Sequence, residues 1–555
     1  MPLLRLCYVI LFTYLCSALS SEGILFSFCD SMRLWKKALS YATVGGVLAG
    51  VTSVLLRGPE EVKRQITSNG IVRVGRAATV VIFISFDYKK SLWGVEQTSA
   101  DYSLIKSQVH LRSAVRLRDL CCRNGGAYIK VGQYIGSLDY LLPTEYVQTL
   151  KVLHNDAPKS PFNEIQFVLQ EELNCKVEDV FASFEDVPIG AASLAQVHKA
   201  TLHDGRIVAV KVQHRDVQSH AAVDMKTLEI LYHVVSWLFP EFKFQWLVEE
   251  SKKHLPLELD FEREGWNAVK IMHFVKKFPF VKIPEIYWKY STKRVLTMEF
   301  CDGGKVDDLP YMQNHRISSE EVAQKLGILY SEMIFVNGYV HCDPHPGNIL
   351  VRRNPKLGVE IVFLDHGLYQ TLSHDFRVQY CKMWQSLINA DLEGIKQSSE
   401  ALEVKEMYGL LACILTARSW DVITTGIDQG PITDDEAELI RVNAATYVTE
   451  ITELLNRVPR QLLLLLKTND LLRSIDFRLK TRATSCSFVT MSRCCIRAVT
   501  EQRLQECRGW ADWVRIHADS TLGHLRITLY QVYVSELVTT IRRLATWFVH
   551  RFAFL

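Results

Sequence analysis

His341-Cys-Asp-Pro-His-Pro-Gly-Asn348 sets an aspartate, Asp343, five residues ahead of an asparagine, Asn348. Two prolines between them, Pro344 and Pro346, fix φ and remove backbone donors, so both side chains are expected on a rigid loop. Downstream, the apolar run Glu360-Ile-Val-Phe-Leu364 reads as a buried strand and releases Asp365-His366-Gly367 at its end. An Asp that receives or orients a nucleophile's proton, followed by an Asn and a second Asp that hold metal on phosphates, is the chain order of a phosphoryl-transfer site. The expected cofactors are therefore ATP and Mg²⁺, with Asp343 as base and Asn348 and Asp365 as metal ligands.

Strands that would carry the nucleotide lie upstream. Val187-Pro-Ile-Gly190-Ala-Ala-Ser193 and the residues to Leu202 read as strand, small-residue turn and strand. His203-Asp-Gly205 is a hairpin signal, and Arg206-Ile-Val-Ala-Val-Lys211 is the next strand. Val-Ala-Val-Lys211 answers to the Val-Ala-Ile-Lys element whose lysine contacts α- and β-phosphates, so Lys211 is assigned there. A lysine closing an apolar strand also snorkels to solvent in many proteins; its place one hairpin after a small-residue turn favours the phosphate role. That turn, at Ala191, Ala192 and Ser193, lacks the glycines that let backbone N–H groups close around phosphates, so its grip is expected to differ. Arg294 to Phe300 is a strand leading into Cys301-Asp-Gly-Gly304, a lobe-to-lobe linker, with Met298 at the back wall. Backbone groups at Glu299 and Phe300 are expected to meet the adenine.

At 555 residues the chain needs more than one packed unit. It is 48% hydrophobic and 23% charged, which fits a globular protein. A formal charge of +3 with no basic, aromatic-interleaved stripe argues against nucleic acid as a partner. The 14 cysteines are scattered without a Cys-x-x-Cys, the pattern of reduced thiols. A transition-metal cluster of His341, Cys342, Asp343, His345 and His366 is disfavoured, because the prolines prevent helical i, i+4 ligand geometry.

Two addresses compete at the amino terminus. Residues 3–19 with Ser20-Ser21 read as a secretory signal, whereas the stretch from Met32 is basic, hydroxylated and acid-free, like a mitochondrial transit peptide. Residues 42–56 are apolar and small-residue-rich but short for a membrane span. At the other end, Leu522 to Leu555 mixes aliphatic and aromatic residues with arginines, and either lies on an anionic membrane or packs on its own lobe. Val458 to Lys467 reads as a buried helix.

Ala100 to His154 has helical periodicity, broken at Asn124-Gly125-Gly126. The next stretch, Ala127-Tyr-Ile-Lys130-Val-Gly132-Gln133, puts a Lys, a Gly and a Gln on adjacent helical turns. Periodicity alone makes Lys130 and Gln133 a solvated face. Taken with the Val-Ala-Val-Lys211 strand, the His341–Asn348 loop and Asp365, however, Lys-x-Gly-Gln resembles the UbiB family of atypical kinase-like proteins, the aarF-domain-containing kinases, from about Arg73 to the last helices.

That resemblance implies an α+β fold: two kinase-like lobes, with a helical N-terminal extension packed over the cleft and a mostly helical large lobe. The implied divisions are 1–72 leader, 73–160 helical extension, 161–303 small lobe, 304–520 large lobe and 521–555 amphipathic tail. Lys130 and Gln133 would reach toward the nucleotide from a lid. Glu258 and Asp260, on a helix opening after Pro256, would face Lys130. Glu264 would orient Lys211, with an exchange of Glu258 and Glu264 as the alternative. No Ala-Pro-Glu element follows Asp365, so a peptide-docking platform is missing and protein-kinase activity is not expected. The implied activity is that of an ATPase or a small-molecule or lipid kinase, with lipid or quinone-like partners at a mitochondrial membrane. The alternatives are a nucleotide-sensing pseudokinase scaffold and, from residues 1–20 alone, a secreted protein.

Overall fold

The computed structural model describes residues 68–96, 99–137, 142–154, 158–242, 244–425, 448–480 and 484–534. The signal-like residues 3–19, the Met32 stretch, the apolar segment 42–56 and the tail from 535 lie outside the described residues.

Four helices open the described chain: α1 (Ser68–Ser91), α2 (Ala100–Asn124), α3 (Ala127–Gly136) and α4 (Thr144–Lys151). The Ser99 hydroxyl caps α2 by accepting from the Tyr102 N–H. Gly125 and Gly126 end it at φ +66° and +54°, values that let α3 turn back across its neighbours. Ala77, Ala78, Cys121, Tyr128, Ile129, Leu150 and Leu153 form the shared core of this bundle.

The small lobe follows with α5 (Phe162–Leu173), α6 (Val177–Val180), β1 (Phe181–Phe184), β2 (Gly190–Ala191), β3 (Ala195–Leu202) and β4 (Ile207–Gln213). Next come α7 (Val217–Leu238), α8 (Gln245–Glu258), α9 (Phe261–Val275), β5 (Val281–Lys282) and β6 (Val295–Glu299). Strands β1-β3-β4-β6 form one antiparallel sheet, with β2 on β3. Strand periodicity splits β4 between two cores. Val208, Val210 and Val212 pack with Ile165, Val168 and Leu169 of α5, while Ala209 packs with Phe261, Ala268 and Ile271 of α9. Lys211 shares the α9 side, which is why it meets a carboxylate from that helix.

No single helix opens after Pro256. Pro256 sits inside the last turns of α8, the chain breaks at Leu259, and the Asp260 carboxylate caps α9 by accepting from the Arg263 N–H at 3.3 Å. Glu258 and Glu264 therefore belong to different helices.

Large-lobe elements are β7 (Gly304–Lys305), α10 (Leu309–Asn314), α11 (Ser319–Ser331), β8 (Tyr339–His341), β9 (Ile349–Asn354), β10 (Gly358–Phe363) and β11 (Tyr369–Thr371). Ser318 caps α11, which continues as a π-helical turn, Glu332–Asn337, before Gly338 at φ +64°. Beyond Asp365 the chain is not purely helical, because β11 pairs with β8 and fastens the segment after Asp365 to the strand before Asp343. The sheet β5-β10-β9-β7 takes one strand, β5, from the stretch assigned to the small lobe. Helices α12 (His374–Ile388), α13 (Leu392–Ala401), α14 (Tyr408–Thr416), α15 (Trp420–Thr425), α16 (Val448–Arg457), α17 (Arg460–Arg478), α18 (Thr484–Gln505) and α19 (Trp510–Val534) complete it. α19 runs across the expected division at 520. The molecule is a two-lobed, kinase-like α+β fold with α3 lying at the cleft.

Candidate functional site

Lys211 Nζ donates to Glu264 Oε1 at 2.7 Å and Oε2 at 2.8 Å, and to Asp365 Oδ2 at 2.8 Å. One cation thus serves two carboxylates, a cluster of net charge −1. The two acids differ in surroundings: the Glu264 side chain is 3% exposed and that of Asp365 is 36%. Burial, reinforced by Asp365, pushes Glu264 up to about 7. At Asp365, burial is outweighed by Lys211 and by the Gly367 N–H donating to Oδ1 at 2.9 Å, so its carboxyl is held well below the usual range. Asp365 therefore keeps its charge at neutral pH and is the more exposed of the two carboxylates.

His341 ties the backbone of Asp365 to the loop that holds Asp343. Its Nε2–H donates to the Asp365 carbonyl at 2.8 Å, leaving Nδ1 to accept from Tyr330 Oη at 3.2 Å and from the Asp343 N–H at 3.4 Å. Burial pushes His341 down and His366 down to about 3, so both rings are neutral supports. Asn267 Nδ2 donates to the His366 carbonyl at 2.9 Å, which ties α9 to this segment.

The loop itself ends in a single 3₁₀ turn, Pro346–Asn348, with His345 at its start. Asn348 Nδ2 donates to the Asp343 carbonyl at 3.3 Å, and the Leu364 N–H donates to the Asn348 carbonyl at 2.9 Å. Asn348 is thereby fixed beside the residue preceding Asp365. Among the described residues no three His, Cys, Asp or Glu side chains are arranged to hold a metal ion. The side-chain oxygens of Asn348 and Asp365 would fit Mg²⁺, which commonly takes one or two protein oxygens and completes its shell with phosphates and water.

Lys130 lies across the cleft from these groups and pairs with Glu258 at 2.6 Å. Burial opposes its charge, but Glu258, with Asp343 and Asp365 behind it, raises its pKa. Gln133 does not reach toward the nucleotide. Its Nε2 donates to the Leu153 carbonyl at 2.9 Å, one helical turn from the lysine and on the side that packs into the bundle. Two of the backbone N–H groups expected at the adenine, those of Glu299 and Phe300, are already used within the sheet. The Glu299 N–H donates to the Glu285 carbonyl at 2.8 Å and the Phe300 N–H to the Ile207 carbonyl at 3.3 Å, since β6 pairing extends through them. The Glu299 carboxylate is paired outward with Lys282 at 2.6 Å. At the small-residue turn, the Ala192 N–H donates to the Ala195 carbonyl at 2.8 Å and its own carbonyl accepts from His214 Nε2 at 3.2 Å. Ala191 lies in β2, and Ser193 is buried behind the turn.

Three participants carry no motif. Lys467 of α17 donates to Asp343 Oδ1 at 3.1 Å. Burial would raise Asp343, but Lys467 and Lys130 hold its carboxyl well below the usual range. Tyr134 of α3 donates to Glu258 at 3.1 Å, and its ring lies 5.5 Å from Lys130 Nζ and 5.1 Å from Lys467 Nζ. The His154 ring stacks on His345 at 5.0 Å while its Nε2 meets the Gln133 carbonyl at 2.9 Å, joining α3 to the Asp343–Asn348 loop. Only their position in the fold distinguishes these three from ordinary core and surface residues.

Residues 152–399 match the model of the ABC1 atypical kinase-like domain. AarF domain-containing protein kinase 1 of Mus musculus is 54% identical over 481 residues, 86% of this chain and 91% of the mouse protein. AarF domain-containing kinase 1 of Drosophila melanogaster is 44% identical, over 90% of this chain and 97% of the fly protein. The chain belongs to the ABC1/AarF family of atypical kinase-like proteins. Among solved structures, the Rv3197–erythromycin complex from Mycobacterium tuberculosis aligns with 69% of this chain and 99% of that one, at 21% identity and a TM-score of 0.38. The matched ABC1/AarF domain holds Lys211, Glu258, Glu264, Asp343, Asn348 and Asp365, whereas Lys130 and Lys467 come from helices on either side of it.

Proposed function

We propose that this protein is an ATP- and Mg²⁺-dependent kinase-like enzyme that acts as an ATPase or phosphorylates a small or lipid-like molecule. The observation that carries the reading is the meeting of Lys211, Glu264 and Asp365 within 2.8 Å of one ammonium group, with Asp343 and Asn348 on the adjoining loop. Lys211, oriented by Glu264, would hold the α- and β-phosphates. Asn348 and Asp365 would hold Mg²⁺, which neutralises phosphate charge when bound. Asp343, ionised by its two lysines, would receive the acceptor's proton. Lys130 and its helix occupy the ground over the cleft where a peptide would lie, which favours water or a compact acceptor.

The same lid supports a second reading, a nucleotide-sensing scaffold that binds without turnover. Thermal unfolding with and without Mg·ATP, followed by single-turnover phosphate release, separates the two. The enzyme reading expects Mg-dependent stabilisation that Lys211→Ala abolishes, and release that Asp365→Asn lowers by about a hundredfold or more. Stabilisation without release in the unmodified protein leaves the scaffold. A role in mitochondrial membrane, lipid or ubiquinone homeostasis, with lipid or quinone-like partners, follows from the family resemblance and the transit-like Met32 stretch. Imaging chains begun at Met1 and at Met32, each tagged at the carboxy terminus, tests the location. No described helix is long and apolar enough to cross a membrane.

A further inference from the structure

Asp343 is flanked by cations that its own loop does not supply. Between Asp343 and Asn348 stand two prolines, a glycine and His345. Burial lowers the His345 pKa, and its Nδ1 accepts from the Gly347 N–H at 3.1 Å, so that ring is neutral. His341 is neutral for the same reason. The two ammonium groups facing Asp343 are Lys130 and Lys467. Lys130 is committed at 2.6 Å to Glu258. Lys467 has Asp343, at 3.1 Å, as its carboxylate partner among the described residues.

The support under Lys467 is rigid. α17 buries Leu462, Leu464, Leu465 and Leu466 in the large-lobe core, and Thr468 is fully buried next door. Shifting the helix would return those leucines to water, so it does not move easily. The lysine side chain leaves that core: it is 20% exposed, and its Nζ lies 5.1 Å from the centre of the Tyr134 ring. A partly exposed ammonium on a firmly packed helix, 3.1 Å from Asp343, is placed to meet charge that appears beside that carboxylate during a reaction.

We propose that Lys467 is a catalytic cation delivered from α17: it holds Asp343 before turnover and moves onto the transferring phosphoryl oxygens as the transition state forms. This rests on the phosphoryl-transfer reading given above. In that step the bond from the γ-phosphorus to the β-phosphate oxygen breaks, and its electron pair stays with the departing ADP. A new P–O bond forms to water or to an acceptor hydroxyl, whose proton passes to Asp343. Lys467 keeps its own protons throughout, and releasing Asp343 as charge builds on the phosphoryl group frees that carboxylate to accept one.

Titration calorimetry on the full chain tests this with Mg·ADP as a ground-state probe and Mg·ADP with tetrafluoroaluminate as a transition-state probe. Lys467→Met is expected to leave Mg·ADP affinity within about twofold. It should lose about a hundredfold of the extra affinity that tetrafluoroaluminate confers, the size of one missing charge donor. Lys467→Arg should restore much of it. Lys467→Gln serves as a second neutral variant, and unchanged melting temperatures certify the fold of each. Equal tetrafluoroaluminate gains in unmodified and Met proteins, or a parallel fall in Mg·ADP affinity, overturns the assignment. Unmodified protein that binds Mg·ADP without any tetrafluoroaluminate gain also overturns it, while leaving the scaffold reading intact. Absence of Mg·ADP binding in the unmodified protein removes the nucleotide reading itself.

Discussion

Lys211 shared between Glu264 and Asp365 is the interaction with the most leverage in this protein. Both acids cannot be stabilised equally by one ammonium, and the more buried one yields: Glu264 rises to about 7 while Asp365 is held low. The sign of the pH effect follows. Folded Glu264 binds its proton more tightly than the unfolded chain, whose glutamate titrates near 4.5, so its contribution to stability is complete below about 4.5 and is lost as pH rises through about 7. Asp343 and Asp365, both lowered, act oppositely, and their contribution is present above about 3.8 and lost on acidification. Denaturant unfolding across pH 4.5 to 8 should show a decline toward the alkaline end that disappears in Glu264→Gln. Lys211→Ala strands Glu264 in the interior. It should cost about 3 kcal/mol at pH 8, where the carboxylate is charged, and visibly less at pH 5.5, where it takes up a proton. A cost that is the same at both pH values would mean that Glu264 is not the titrating member.

Helix junctions decide which carboxylate meets which lysine. Had one helix run from Pro256 through Asn267, Glu258 and Glu264 would have been six residues apart on one rod. The break at Leu259, with Asp260 as the α9 cap, sends Glu258 to Lys130 and Glu264 to Lys211. Asp260→Ala should therefore cost about 1 kcal/mol in thermal unfolding through loss of the cap. It should also weaken Mg·nucleotide binding, because α9 positions Glu264. The lid helix has its own constraint at Gly132, where an added Cβ would lie 2.5 Å from Leu153 Cδ1 and 3.1 Å from Cys121 Sγ. Leu153 is buried and its carbonyl already holds Gln133, so it has little room to yield. Gly132→Ala is expected to cost about 1–3 kcal/mol by overpacking and to lower amide protection across Ala127–Gly136. Periodicity identifies the α3 helix and assigns its polar residues to solvent, whereas the family resemblance turns Lys130 and Gln133 toward the nucleotide. Gln133 in fact spends its amide on the bundle, a choice made by the neighbouring Val152–His154 turn that no local pattern announces.

Across the lobes, polar groups from three distant regions meet at the cleft: Lys130 and Tyr134 from the N-terminal bundle, Glu258 from the small lobe and Lys467 from the C-terminal helices. Glu258 is the hub, since it accepts from both Lys130 and Tyr134. Glu258→Ala should leave Lys130 over the cleft without its partner and loosen α3. Hydrogen exchange is expected to rise in Ala127–Gly136 but not in the β3–β4 hairpin, and nucleotide dissociation should quicken. Exchange that rises equally in both would mark general destabilisation instead of lid release. Glu332, in the π-helical turn, is a second long-range tie: it is buried and pairs with Lys277 beyond α9 and Arg497 of α18.

The sequence by itself determined the strand that carries Lys211, the rigid loop from His341 to Asn348 and the order of Asp343, Asn348 and Asp365, because prolines, glycine turns and alternating apolar residues act within a few positions of themselves. Tertiary structure chose between the expected partner of Lys211, Glu264, and its alternative Glu258, and it alone supplied Leu153 for Gln133, Ile207 for the Phe300 amide and Lys467 for Asp343. Those pairs join residues up to 124 positions apart in the last case, and such contacts depend on how helices and sheets pack, which leaves no local periodic trace in the chain.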